Sequence, residues 1–266
     1  MKNLAKSARS IAGNCQMIWI MAMRDVQARY IGSVGGFFWI LAKPLALVAV
    51  YYFVFAVGFK AKGPEGIPYV IWFVGGLVPW MFFAETLLPI INSVLGNAHL
   101  VKKTLFPSEL LPVVNLFSGL LPHAVFLGLL LALLIVYGIP LRIERILVLY
   151  FLLCTCALLL GLGWMLAALQ VFFRDTEHGM GVILNLWFWG TPIVWTWQQI
   201  PQAYWQYLKL NPMDYIIEGY RGMLVYSDIR WPTAEATAYF WGVTVTLLLA
   251  GLFIFRRLKP EFPDVM

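Results

Sequence analysis

Charged side chains are scarce in this chain: they make up 12% of its 266 residues, where a soluble domain carries about 25%. That deficit excludes a well-solvated globular surface. A hydrophobic share of 61% and a mean hydropathy of +0.79 point to a bilayer instead. Cysteine is rare as well. Of Cys15, Cys154 and Cys156, the last two share one apolar run with no histidine near, so neither a disulfide framework nor a zinc site is expected. His99, His123 and His178 stand far apart, without metal-ligand spacing. No glycine is followed by lysine anywhere, which removes the phosphate-binding loop of ATP-hydrolysing proteins. No DxD-like acidic pair sits on a loop, and Asp175 and Glu177 fall on different sides of a helix. A cleavable leader is not expected either: Asn14 and Gln16 interrupt the apolar stretch behind Lys2, Lys6 and Arg9, and no small-residue cleavage site follows.

What the chain has is long apolar runs. They are unbroken rather than alternating, which argues for helices and against a membrane barrel. Six segments have the length to cross a hydrocarbon core of ~30 Å: 34–59, 67–95, 110–137, 146–173, 180–197 and 236–255. Ahead of them, residues 1–32 place Ile11, Cys15, Ile18, Trp19, Ala22, Val26 and Tyr30 on one arc, a partly amphipathic helix suited to the headgroup plane. The expected fold is an all-α polytopic membrane protein forming a single transmembrane domain over residues 1–266.

The net charge of +6 and a pI near 9.2 do not mark a nucleic-acid binder, because the basic residues sit beside the ends of apolar runs. The stretch through Lys43, the loop 96–115, the Arg174–Asp175 turn and the carboxy-terminal stretch hold 12 of the 19 lysines and arginines. Cytoplasmic loops carry this excess, so both termini are expected in the cytoplasm.

Several positions stand out chemically. Lys43-Pro44 interrupts the first run, and Pro79 and Pro89 are expected to break the second around Glu85. An ionisable group at that depth faces water or protein, so Glu85 is either a functional carboxylate or one that pairs locally. Gly161 and Gly163 permit close helix packing. Trp187, Trp189, Trp195, Trp197 and Tyr215 crowd around prolines before the last run. They read either as an aromatic belt at the headgroups or as the lining of a passage for sugars, together with Trp39, Tyr51, Trp80, Phe83 and Glu85. The segment 198–235 is too polar to span and too apolar for a plain loop, so short re-entrant helices are expected. Glu218 and Arg221, at i and i+3, read as an ion pair on a solvated face.

These motifs keep a recognisable order. Arg24-Asp25-Val26, Arg29-Tyr30, Ser33, Gly36, Trp39 and Pro44 are followed by Gly76-Leu77-Val78-Pro79-Trp80 and by Leu100-Val101-Lys102-Lys103, Phe106-Pro107, Glu109 and Pro112. Then come Phe172-Phe173-Arg174-Asp175, Thr191-Pro192-Ile193, Asn211-Pro212 and Glu218-x-Tyr220-Arg221. In this order the chain resembles the transmembrane subunit of bacterial ABC exporters for lipid-linked polysaccharides such as O antigen and teichoic acid, with Gly35 where that family's pattern has leucine. The resemblance implies six spans, an amino-terminal interface helix and re-entrant helices. It also implies a homodimer in the inner membrane carrying two copies of a soluble ATP-binding subunit. That subunit would hold the ATP and Mg, and this chain would need no cofactor of its own. The coupling residues it implies are Arg24, Arg29, Leu100, Lys102, Lys103, Phe106, Pro107 and Glu109. A secondary transporter of lipid-linked sugars and a membrane enzyme acting on polyprenyl-linked sugars are the rivals. The first wants several intramembrane charges in symmetric halves, and the second wants acidic catalytic loops.

Overall fold

The computed structural model describes residues 13–30, 35–36, 38–103 and 107–266, the side chains of Tyr30 and Lys103 excepted. All regular structure among them is helical. Helix α1 (Cys15–Tyr30) lays Ile18, Ala22 and Val26, one face at i, i+4 and i+8, against α5 (Leu111–Val136). Trp19, expected on that arc, points away and is exposed. Helix α2 (Phe38–Tyr51) carries Pro44 inside it and continues through a widened π-helical stretch, Tyr52–Gly58. Its outer face, with Phe53 and Phe59, is uncovered. Helix α3 (Tyr69–Ile91) is the axis of the bundle, packed by α5, by α6 (Val148–Phe172) and by α9 (Pro212–Leu224). Pro79 and Pro89 do not break it. Neighbours cover α3 on almost every side, and in apolar surroundings each remaining backbone bond is worth keeping, so the helix runs on through the missing donors.

Five stretches are long and apolar enough to cross a membrane: Phe38–Gly58, Tyr69–Ile91, Ser108–Val136, Ile143–Phe172 and Ala234–Val265. The last contains α10 (Ala234–Leu258) and the short α11 (Phe262–Val265). Helix α10 lies along α6, and the crossing is close because glycines meet there. A Cβ on Gly251 would strike the Gly161 carbonyl, and one on Gly161 would strike Leu247 and Leu248. Gly163 makes the same room for Ile90 of α3.

The run expected over 180–197 differs. Helix α7 starts earlier and stops at Trp189 (Thr176–Trp189); its 14 residues make ~21 Å, short of a full crossing. The chain then proceeds without helix to Thr196 and reaches α9 through two short turns and the four-residue α8 (Trp205–Leu208). Together, α7 and the irregular stretch follow α3 from end to end. Glu177 shares a cavity with Asn92 and Ser93, while Val194 accepts a hydrogen bond from the Tyr69 hydroxyl at 3.0 Å. Thr191, Ile193 and Val194 are buried, so their irregular backbone needs internal donors.

Arg221 of α9 supplies them. Its guanidinium donates to the Pro192 carbonyl (2.6 Å), the Ile193 carbonyl (2.9 Å), the Trp72 carbonyl (3.1 Å) and the Glu218 carboxylate (2.8 Å), and it lies 3.7 Å over the Trp72 ring. The side chain is wholly buried, which corrects the solvated-face reading of this pair. Gly76 leaves space for the guanidinium and Gly75 for Val225. Asn211 fixes the start of α9. Its carboxamide oxygen accepts from Met213 N and from Trp187 Nε1, and its Nδ2 donates to Thr191 Oγ1. Buried Arg145, before α6, donates to the Leu224 carbonyl at the other end of the helix.

Two outcomes follow from this packing. Gly251→Val is expected to cost roughly 1–3 kcal/mol by overpacking, read as a lower thermal midpoint of the purified protein in detergent; an unchanged midpoint would contradict the close crossing. Arg221→Met, which leaves the buried Pro192 and Ile193 carbonyls unpaired, is expected to cost at least about 3 kcal/mol, and Arg221→Lys to recover only part, since an ammonium cannot fork among them. Wild-type thermal stability of Arg221→Met would refute the clamp.

Candidate functional site: a basic basin and an aromatic array

At one end of the bundle α3 runs into the turn Leu95–Asn97 and the short helix α4 (Ala98–Lys103). The exposed Lys102 on α4 meets the backbone oxygen of Met266, so the carboxy-terminal stretch folds onto this loop. Glu109 faces inward, paired with Lys259, while its backbone carbonyl accepts from Trp164 Nε1 at 3.0 Å. Phe262 is buried between Phe172 and Phe255, which anchors the stretch beyond α10. Three separate attachments thus join the loop to α6 and α10. Phe106 and the Lys103 side chain lie outside the described residues, and Pro107 opens the turn into α5.

Beside the loop is a cavity of about 740 Å³, walled by Arg24, Asp25 and Arg29 of α1, by His99 and Leu100 of α4, and by Asn92 and Glu177. The amino-terminal helix and the loop, treated separately in the sequence, here share one basin. Arg29 is held in it by Asp25 (2.6 Å) and Asn115 (2.9 Å). The Arg174–Asp175 turn on the same end is exposed and is shaped by Gln170. This residue donates to the Arg174 carbonyl and accepts from Glu177 N. Gln170 gave no signal in sequence, being one polar residue near the end of an apolar run.

Further in, Lys43, Glu85, Arg29 and Trp39 line a small cavity with His123. It brings together the two intramembrane charges that stood out in the sequence, on different helices. Trp39 is half exposed and otherwise meets Phe38 edge-on.

The aromatic residues divide into groups. Tyr51 stacks on Phe73 (5.2 Å) and meets Phe188 and Trp189; Trp80 meets Trp187 and Phe188, and Phe83 meets Trp187 at 5.3 Å. This makes one array across α2, α3 and α7. Trp80 and Phe83 are buried in it, whereas Trp189 is 54% exposed and forms its open edge. Trp195 adjoins it through a bond from Nε1 to the Trp189 carbonyl. Trp197 and Tyr215 do not belong to the array. Trp197 packs edge-on to Trp205, and Tyr215 stacks on Phe240 at 4.6 Å and bonds to the hydroxyls of Tyr150 and Thr237. The array offers polarizable faces and few charges; it can hold apolar or sugar surfaces but carries out no acid–base step.

Known proteins resemble the chain over nearly its whole length. It is 26% identical over 260 residues to each of two proteins of Klebsiella pneumoniae named O-antigen export system permease protein RfbA, covering 94% of this chain and 95% of theirs. A Myxococcus xanthus protein of the same name is 30% identical over 246 residues, covering 92% of this chain and 93% of its own. Residues 16–225 match the family described as ABC-2 type transporter, and with the helical bundle above, this multi-pass membrane protein belongs to that family.

Proposed function

We propose that this chain is the membrane-spanning subunit of an ATP-driven exporter of lipid-linked polysaccharide, with O antigen as its cargo. The end-to-end similarity to proteins named for O-antigen export carries this reading. Two copies of the chain form the conduit in the bacterial inner membrane, and two soluble subunits bind the ATP and Mg. The Lys102 end is cytoplasmic, in keeping with the lysine and arginine excess there, and both termini lie on that side. Helix α7 and the irregular stretch after it together make the sixth crossing. Helix α9 is the re-entrant element on the opposite side.

The basin between α1 and α4 suits an ATPase foothold, because it offers cationic side chains beside an exposed short helix. In this reading Arg24, Arg29, Leu100 and Lys102 meet the partner, while Glu109 works from inside. ATP binding closes the partner dimer and displaces the loop. The ion pair from Glu109 to Lys259 and the Trp164 bond then pass that displacement to α10 and α6. The crossing of α6 and α10 at Gly161 and Gly251 makes the pair move as one body. Trp189, the open edge of the array in which Tyr51, Trp80, Phe83 and Trp187 pack, lines the passage at the facing surfaces of the two copies, where sugar faces stack on it.

Lys102→Glu is expected to leave insertion and partner ATP hydrolysis in place and to lower surface polysaccharide by about tenfold or more. Immunoblotting of membranes, ATPase assay of the co-purified complex and surface glycan staining together check it. Wild-type export by this variant would refute the loop's role.

A further inference from the structure

A second cavity, of about 520 Å³, opens at the Arg221 end between the segment before α9, α9 itself and the start of α10. Its volume lies in the ~300–1,000 Å³ range of small-ligand sites. It shares no lining residue with the array around Tyr51 and Trp187, so it is a separate place on the molecule.

Its wall combines aromatic rings and carboxyl groups, among them Trp197, Trp231 and Tyr239 with Asp214 and Glu218. The Tyr239 hydroxyl donates to the Leu210 carbonyl, which fixes that ring, and Trp231 is 54% exposed, so its face is open. Asp214 Oδ1 is shielded from solvent and has no hydrogen-bond partner among the described residues. Burial, and then the neighbouring Glu218, push the Asp214 carboxyl up to about 8, so near neutral pH it holds a proton and offers a donor as well as an acceptor. Glu218 gives one oxygen to Arg221 and keeps a partly exposed carboxylate. Two cations, Lys209 and Arg230, also line it, Arg230 bonded to Glu65 and lying 3.9 Å over the Tyr226 ring, and Glu235 adds a further carboxylate, so charges of both signs are present. Such a wall selects neither a strong anion nor a strong cation. It suits a neutral molecule with apolar faces and a rim of hydroxyls.

We propose that this cavity is a saccharide-binding site, separate from the conduit, that holds neutral sugar units of the polymer where it leaves the membrane. The identity of the ligand and the side of the membrane rest on the export reading; the binding itself does not. Sugar rings would stack on Trp231 and Trp197, with hydroxyls bonded to Asp214 and Glu218. A site at this point would keep the emerging chain from sliding back between strokes.

The test uses the full chain in phosphatidylcholine nanodiscs. It is titrated with lipid-free oligosaccharides released from the surface polysaccharide of the cell that makes it, and read by saturation-transfer NMR and tryptophan fluorescence. The expected result is saturable binding that Trp231→Ala weakens about tenfold, the loss of one aromatic face, with Trp231→Phe restoring most of it. Asp214→Asn should weaken it less, and Phe53→Ala, an exposed ring outside both the cavity and the array, should leave it unchanged. No binding by the wild-type chain would overturn the proposal. So would a loss confined to Trp189→Ala, or displacement of the sugar by phosphatidylglycerol added to the nanodisc. The export reading is judged apart, from surface polysaccharide in cells lacking the chain: if it persists there, that reading fails whatever the cavity binds.

Discussion

The backbone from Thr191 to Val194, just after α7, has to be irregular and buried at once, and the rest of this end of the bundle is arranged around that conflict. A carbonyl inside a membrane protein with no helical partner costs on the order of 1–3 kcal/mol if left unmade. Arg221 resolves this for Pro192 and Ile193 and adds the Trp72 carbonyl of α3. One guanidinium thereby ties α9, the stretch after α7 and the central helix into a unit. Its charge is offset by Glu218 and by the face of Trp72. Asn211 and Arg145 satisfy the two ends of α9 in the same manner.

The opposite end is held by polar ties between the loop and the segment after α10. Lys102 and Arg29 remain exposed, and the loop is tied by Glu109 to Trp164 of α6 and to Lys259 just after α10, and by Lys102 to the backbone of Met266. Between the ends, the glycine-lined crossing of α6 and α10 leaves little slack. In the proposed function, a force on the loop would be carried along these helices toward the clamped end. The aromatic array on α2, α3 and α7 stands between the two, with Trp189 at its open edge.

Much of this was legible before the structure. Apolar runs of about 20 residues can hardly be anything but membrane helices, and five of the six became long helices. Gly161 and Gly163 announced close packing because small residues have little other use in such runs. What sequence spacing could not reveal was where donors are needed. Arg221 and Glu218 look like a surface pair, because nothing local records that carbonyls 28 and 29 residues earlier lack partners. Pro79 and Pro89 misled for the opposite reason, since neighbours packed on most sides of α3 keep it helical through them. The pairing of Glu109 with Lys259 joins residues 150 positions apart and leaves no periodic trace.

In the proposed function the chain is a conduit moved by another protein. Its most direct test is transport into sealed vesicles containing the purified chain, with and without its ATP-binding partner, measured as protection of lipid-linked polysaccharide from an added glycosidase. Movement is expected only when the partner and ATP are both present. Translocation by the chain alone, with no nucleotide, would contradict the account.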